Sequence, residues 1–139
     1  MVGKVNFSRR IKVVTVDDSP IITQRIKSIL SEMDKIEFLG SANNAVAAMT
    51  LIQRQTPDVV ILDINLDENI SQFNGIDLLI ALRNRYPKMK IIMLTNLSAP
   101  QYRMRCITFG ANYFFDKSND FYKLPDVLDE IAMATTQSI

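Results

Sequence analysis

The stretch Val59-Val60-Ile61-Leu62-Asp63-Ile64-Asn65 limits the possible folds of this chain more than any other. An aliphatic run bounded by Pro57-Asp58 on one side and a polar loop on the other lacks the alternation of a half-exposed strand. It reads as a strand buried on both faces, and such strands belong to parallel sheets covered by helices. The run delivers a carboxylate at its end. In an open parallel sheet ligands bind beyond the carboxyl ends of the strands, so Asp63 stands where chemistry is expected.

The flanking segments repeat this unit. Lys12-Val13-Val14-Thr15-Val16 is rich in β-branched residues and stops at Asp17-Asp18-Ser19-Pro20. Ser19 followed by Pro20 supplies an N-cap and a first helical residue, and Ile22, Ile26, Ile29 and Met33 recur at helical steps as far as Met33. Glu37-Phe38-Leu39, ending at Gly40-Ser41, predicts a short strand. Ala45, Ala48, Met49 and Ile52 predict a second helix, which Pro57 ends because the residue before a proline is pushed out of the helical region. An extended polar loop from Asn65 to Asn74 leads to Gly75 and a third helix carrying Ile76, Leu79, Ile80 and Leu82, closed by Pro87. Lys90 to Thr95 is a second buried-type strand ending in a hydroxyl. A fourth helix with a weaker apolar face is predicted from Pro100 to Phe109, stopped by Gly110. Tyr113-Phe114-Phe115-Asp116 gives a fifth strand leading into Lys117-Ser118, and Leu124, Val127, Leu128 and Ile131 define a last helix. The expected organisation is a loose arm over 1–10, one domain over 11–135 and a polar tail over 136–139, with fraying from Thr135.

Five strands alternating with five helices specify an α/β fold, a doubly wound parallel sheet with helices on both faces. The strand order 2-1-3-4-5 is carried over from known flavodoxin-like proteins, the chemotaxis receiver among them. It sets the ends of strands one, three, four and five side by side, so that Asp17, Asp18, Asp63, Thr95 and Lys117 converge. With 139 residues, 47% of them hydrophobic, the chain suits a single domain and leaves no room for a second. A net charge of +1 offers no overall basic field for nucleic acid or an anionic membrane. Cys106 alone cannot close an internal disulfide, and without histidine no Cys/His metal set exists. A reducing, cytoplasmic setting is the expectation, with neither a signal peptide nor a membrane span in the sequence.

Three carboxylates in one crevice repel each other, at ~4 Å and an effective dielectric of ~20 by about 4 kcal/mol per pair. They call for a cation. A hard divalent ion such as Mg²⁺ accepts one or two carboxylates plus water and leaves positions open for phosphate. A carboxylate beside it can attack phosphorus to form an acyl phosphate, while an ammonium and a hydroxyl neutralise the equatorial oxygens. Taken singly, each residue has a plainer explanation. Asp18 and Ser19 would cap a helix, Asp63 would end a strand, Lys117 would be a solvated surface lysine, and Phe114 and Phe115 would be core. Their coincidence at neighbouring strand ends is what argues for a phosphoacceptor pocket.

Four segments, Val16-Asp17-Asp18-Ser19, Leu62-Asp63-Ile64-Asn65, Met93-Leu94-Thr95-Asn96 and Gly110-Ala111-Asn112-Tyr113-Phe114-Phe115-Asp116-Lys117, resemble the receiver domain of two-component response regulators in kind and in order. The resemblance spans Lys12 to about Ala134. It implies that Asp63 accepts phosphate from a histidine kinase or phosphotransfer protein, and that Asp18, Asp63 and the Asn65 backbone carbonyl ligate Mg²⁺, with Asp17 assisting through water. It implies further that Thr95 and Lys117 contact the phosphoryl oxygens, and that Phe114 is the switch aromatic whose rotation accompanies movement of Thr95. The output would be the face formed by the fourth helix, fifth strand and fifth helix, presented to a downstream protein, a fused output domain or a second copy in a homodimer.

The sequence departs from the family pattern at Ser118, where a proline is common, and at Phe114, often a tyrosine. Asn96 replaces a small residue, and the longer loop after Asp63 adds Asp67 and Glu68. Two other functions fit the same residues: a pseudo-receiver that docks partners without phosphate, and a small Mg²⁺-dependent aspartyl phosphohydrolase. Adjacent Asp17 and Asp18, where such hydrolases use Asp-x-Asp, and the lack of a cap domain weigh against the second, so no enzyme is expected. No helix-turn-helix follows Ala134, so the chain is expected not to bind nucleic acid by itself. It is either a stand-alone receiver or part of a longer regulator.

Overall fold

The computed structural model describes residues 9–66 and 73–137. Five strands, β1 (Ile11–Val16), β2 (Ile36–Ala42), β3 (Val59–Leu62), β4 (Lys90–Thr95) and β5 (Tyr113–Asp116), pair in parallel in the order β2-β1-β3-β4-β5. Between and after them run α1 (Pro20–Ser31), α2 (Ala45–Gln55), α3 (Gly75–Arg85), α4 (Pro100–Thr108) and α5 (Leu124–Gln137). This is the doubly wound, flavodoxin-like arrangement expected from the alternation of strands and helices.

Side chains alternate across each strand, so the two faces of the sheet carry separate cores. Val14, Val16, Val60, Leu62, Ile91, Met93 and Phe114 meet α2, α3 and α4 through residues such as Ala48, Ile52, Leu79 and Cys106. Val13, Val59, Ile61, Ile92, Leu94 and Phe115 meet α1 and α5 through Ile26, Leu30, Leu128 and Ile131. All four residues of β3 are buried, as a strand covered on both faces requires.

The boundaries differ from expectation for local reasons. β2 is longer than Glu37–Leu39 because it follows the full length of β1, absorbing an irregularity opposite Val13 and Val14 where Leu39 is skipped in the register. α1 stops at Ser31, two residues short of Met33, because the Glu32 and Met33 amides turn to carbonyls three residues back. α2 ends before Pro57 as expected, with Thr56 left-handed (φ 46°). α5 continues to Gln137, and the half-buried Thr135 hydroxyl donates to Ile131 O at 2.9 Å. A 3-10 turn, Phe121–Lys123, leads into that helix.

The expected arm over 1–10 falls mostly outside the described residues. Of residues 1–10 only Arg9 and Arg10 lie within the described part, and both are tied down. The Arg9 guanidinium grips both Asp58 oxygens at 2.7 and 2.9 Å, Lys12 N–H donates to the same carboxylate at 2.9 Å, and Arg10 donates to Ile36 O at 2.6 Å. Arg83 of α3 closes the same end of the molecule by donating to the carbonyls of Gly110, Pro87 and Met89 and to Asn112 Oδ1.

Burial alone would raise the Asp58 carboxyl, but hydrogen bonds from Arg9 and Lys12 N–H, with the Arg9 charge, outweigh it and hold it below its ordinary value. An acid depressed in the folded state stabilises above its unfolded pKa and loses that contribution as pH falls through the folded value. Asp58→Asn is therefore expected to lower stability at pH 7, by at most about 1 kcal/mol since Arg9 is largely exposed. In thermal melts the gap to wild type should close as pH drops below 3.8, the unfolded value; a gap independent of pH contradicts this account.

Candidate functional site

The site is assembled by the ladders that end beside it. Beyond the last paired residues of β1 and β3, Asp17 N–H still donates to Ala42 O at 3.0 Å and Asp63 N–H to Val16 O at 2.9 Å, which sets the two acids side by side. Lys117 N–H donates to Thr95 O at 2.9 Å, bringing the end of β5 to the end of β4. Ser19 caps α1, its hydroxyl accepting from Ile22 N–H at 3.3 Å, while Asp17 Oδ1 accepts from Ser19 N–H at 2.8 Å. Asp18 is not used for capping and stands exposed on the cleft wall.

Each of Asp17, Asp18 and Asp63 places a carboxylate oxygen within 4.8 Å of the other two. The Lys117 ammonium lies 2.9 Å from Asp17 Oδ2 and 2.8 Å from Asp63 Oδ2. All three of these paired groups are buried, at 5%, 3% and 8% exposure for Asp17, Asp63 and Lys117. Burial opposes the lysine's charge, but hydrogen bonds to Asp63 and Asp17 prevail and its pKa stands above the ordinary value. The Asp17 carboxyl is pushed up by burial, against the hydrogen bonds from Lys117 and Ser19 and with help from the neighbouring Asp63 charge. One ammonium shared between two buried acids leaves both short of positive charge, and Asp18 adds a third negative group. The donor set is all hard oxygen, as a small divalent cation requires, so these residues fit such an ion.

The remaining predicted residues stand around this centre. Asn65 lines the cleft, and its N–H donates to Asp63 Oδ1 at 3.3 Å. Thr95 is fully buried with its hydroxyl accepting from Leu97 N–H at 3.2 Å, so in this state it is engaged by the loop after β4. Phe114 is turned into the core at 3% exposure. Asn96 and Ser118 flank the opening and approach each other at 3.4 Å, narrowing that side, and Lys117 and Ser118 are joined by a trans peptide. Asp67 and Glu68 lie outside the described residues.

The match to known proteins follows this geometry. The family model described as "Response regulator receiver domain" matches residues 13–129. The chain belongs to that family. A Pyrococcus horikoshii protein-glutamate methylesterase/protein-glutamine glutaminase is 31% identical over 129 residues, covering 90% of this chain and 34% of that protein. A putative transcriptional regulator of Pseudomonas aeruginosa is 30% identical over 113 residues, covering 81% of this chain and 52% of its own length. This receiver domain thus spans about a third to a half of these curated relatives. Among solved structures, the response regulator domain of Thermotoga maritima CheB superposes with a TM-score of 0.76 at 23% identity, covering 93% of this chain and 98% of the other. The isolated receiver domain of RcsB from Salmonella enterica, solved with phosphomimetic BeF₃⁻, gives a TM-score of 0.81 at 20% identity over 88% of each chain. At these identities the structures establish the fold.

Sequence reasoning passes over two supports of the receiver site. Arg25 of α1 lies over the Phe121 ring at 4.1 Å and lines the cleft, which no periodicity in the sequence announces. Gly75 reads from sequence only as the start of α3, but its role is closer to the chemistry. Its N–H donates to Ile64 O at 2.8 Å, and a Cβ at this position would overlap the Asp63 carbonyl oxygen and crowd Ile64 Cα at 2.7 Å. The backbone carrying Asp63 and the first turn of α3 approach so closely that only glycine fits. Gly75→Ala is therefore expected to destabilise the domain by several kcal/mol, at least the ~1–3 kcal/mol typical of overpacking. Urea denaturation measures this, and a loss below about 0.5 kcal/mol would show that the loop yields easily.

Proposed function

We propose that this receiver domain accepts a phosphoryl group on Asp63 from a histidine kinase or phosphotransfer protein, in a Mg²⁺-dependent reaction, and thereby switches a protein-interaction surface. The observation that carries this reading is the buried ammonium of Lys117 held between Asp17 and Asp63, with the exposed carboxylate of Asp18 completing a triad of acids. Asp18, Asp63 and the Asn65 backbone carbonyl would hold the metal directly, and Asp17 through water. When bound, the ion supplies charge neutralisation for the incoming phosphoryl group.

Asp63 is positioned for nucleophilic attack by its own backbone bond to Val16 O and by the Asn65 N–H on Oδ1. A carboxylate oxygen forms the new P–O bond as the P–N bond to the donor imidazole breaks, and the electron pair leaves with that nitrogen. Lys117 now bridges two acids. On phosphorylation it would exchange its bond to Asp63 for a phosphoryl oxygen, keeping its bond to Asp17. Thr95 would leave Leu97 N–H to reach another phosphoryl oxygen, which links chemistry at β3 to the loop before α4. The domain is a phosphoacceptor and is not itself proposed to be a turnover enzyme. Among the described residues no helix is long and apolar enough to cross a membrane, and the proposed setting is cytoplasmic.

The proposed output surface is the face of α4, β5 and α5. It exposes Met104, Ile107 and Phe109 on and after α4, and Tyr122 and Met133 before and within α5. Apolar side chains exposed on these elements favour a protein partner there, whether a downstream protein, a fused output domain or a second copy.

Incubation with acetyl phosphate and Mg²⁺ is expected to give an acyl phosphate on Asp63, seen by intact mass and peptide mapping and absent from Asp63→Asn. Mg²⁺ alone should raise thermal stability, by about 2.7 kcal/mol at a hundredfold excess over its dissociation constant. No adduct and no stabilisation by Mg²⁺ would favour the phosphate-independent docking module, whereas turnover of a phosphate monoester would point to a hydrolase.

A further inference from the structure

α4 is held to the rest of the domain by few contacts. Cys106 is its only buried residue, no side chain caps its first turn at Ala99, and Met104 and Ile107 point to solvent. Such an element belongs to the low-stability end of a fold, where small changes in its anchors move it. One anchor is unusual. The Arg103 guanidinium carbon lies 5.1 Å from the centre of the Phe114 ring, and Nη2 approaches Phe114 O at 3.4 Å. A side chain from the middle of α4 thus engages both the ring and the backbone of one residue in β5.

Phe114 is buried in the core shared by Met93 and Cys106 and, being a phenylalanine, has no hydroxyl with which to hold a partner. Arg103 is exposed, so its planar head is free to follow the ring while its stem remains on α4. The guanidinium therefore joins α4 to both the ring and the backbone of Phe114.

We propose that Arg103 is the positioning residue that couples α4 to Phe114, the stacked guanidinium taking over the polar link that the ring lacks. Displacement of Phe114 then carries α4 with it, and without Arg103 the ring moves while the helix stays. This rests on the reading of Asp63 as phosphoacceptor, with Phe114 as the aromatic that would move with Thr95 on phosphorylation.

The test uses the full chain, isotopically labelled, with Mg²⁺ and beryllofluoride. Fluorine NMR reports occupancy at Asp63, and amide shifts report Thr95 and residues 100–108 separately. In wild type, occupancy should shift both sets. In Arg103→Ala, occupancy and the Thr95 shift should persist while the shifts over 100–108 fall by more than half. Arg103→Lys keeps the charge without the planar stack and is expected to lie between the two, and it decides the matter if the alanine variant unwinds α4, as read from its free-state carbon shifts. Wild-type shifts over 100–108 in both variants would overturn the role of Arg103 alone. Failure of wild type to bind beryllofluoride would overturn the phosphoacceptor reading and this coupling together.

Discussion

The ammonium of Lys117, buried between Asp17 and Asp63, is the interaction on which the architecture turns. Two carboxylates brought under the surface at adjacent strand ends are costly unless a cation joins them, and one partner shared by two acids satisfies neither fully. The domain thus folds around an incomplete neutralisation. Asp18 lies at the cleft wall, and with Asp17 and Asp63 it forms an all-oxygen cluster that fits a small divalent cation.

The rest of the fold can be understood as holding that triad in place. β1 and β3 run side by side, and the amides of Asp17 and Asp63 stay bonded to the neighbouring strands one residue past the last regular pair. Gly75 lets α3 press on the backbone of Asp63 from outside. The Lys117 N–H on Thr95 O joins the last two strands where the lysine leaves β5. Against this rigid centre the α4 side is lightly built, with a single buried residue in the helix and an arginine lying over Phe114. Close packing at the acids and a lightly held α4 is the distribution the proposed switch would need, since a change at the centre would then be expressed where the structure yields.

Much of this was legible beforehand because the signals were local. The short aliphatic runs in Val59–Leu62 and Lys90–Thr95, bounded by turn residues, read as buried strands, and Ser19-Pro20 reads as a helix start. Where a boundary depended on a distant partner, reading along the chain fell short. β2 extends to Ala42 because β1 is there to pair with it, Arg9 is fixed by Asp58 far along the chain, and α5 persists through Thr135 because its hydroxyl and packing support the last turn. The contacts of Gly75, Arg25 and Arg103 were invisible for the same reason: each acts across elements, on Asp63, Phe121 and Phe114.

By itself the sequence determined the alternation of strands and helices, the residue type at each strand end and hence the kind of chemistry available, because hydrophobic period and turn composition act over a few neighbours. Only the tertiary structure decided which acids the lysine would bridge and how closely Asp17, Asp18 and Asp63 would gather, each with a carboxylate oxygen within 4.8 Å of the others. Those choices are settled by distances between side chains from separate strands, and such distances exist only once the sheet has brought them together.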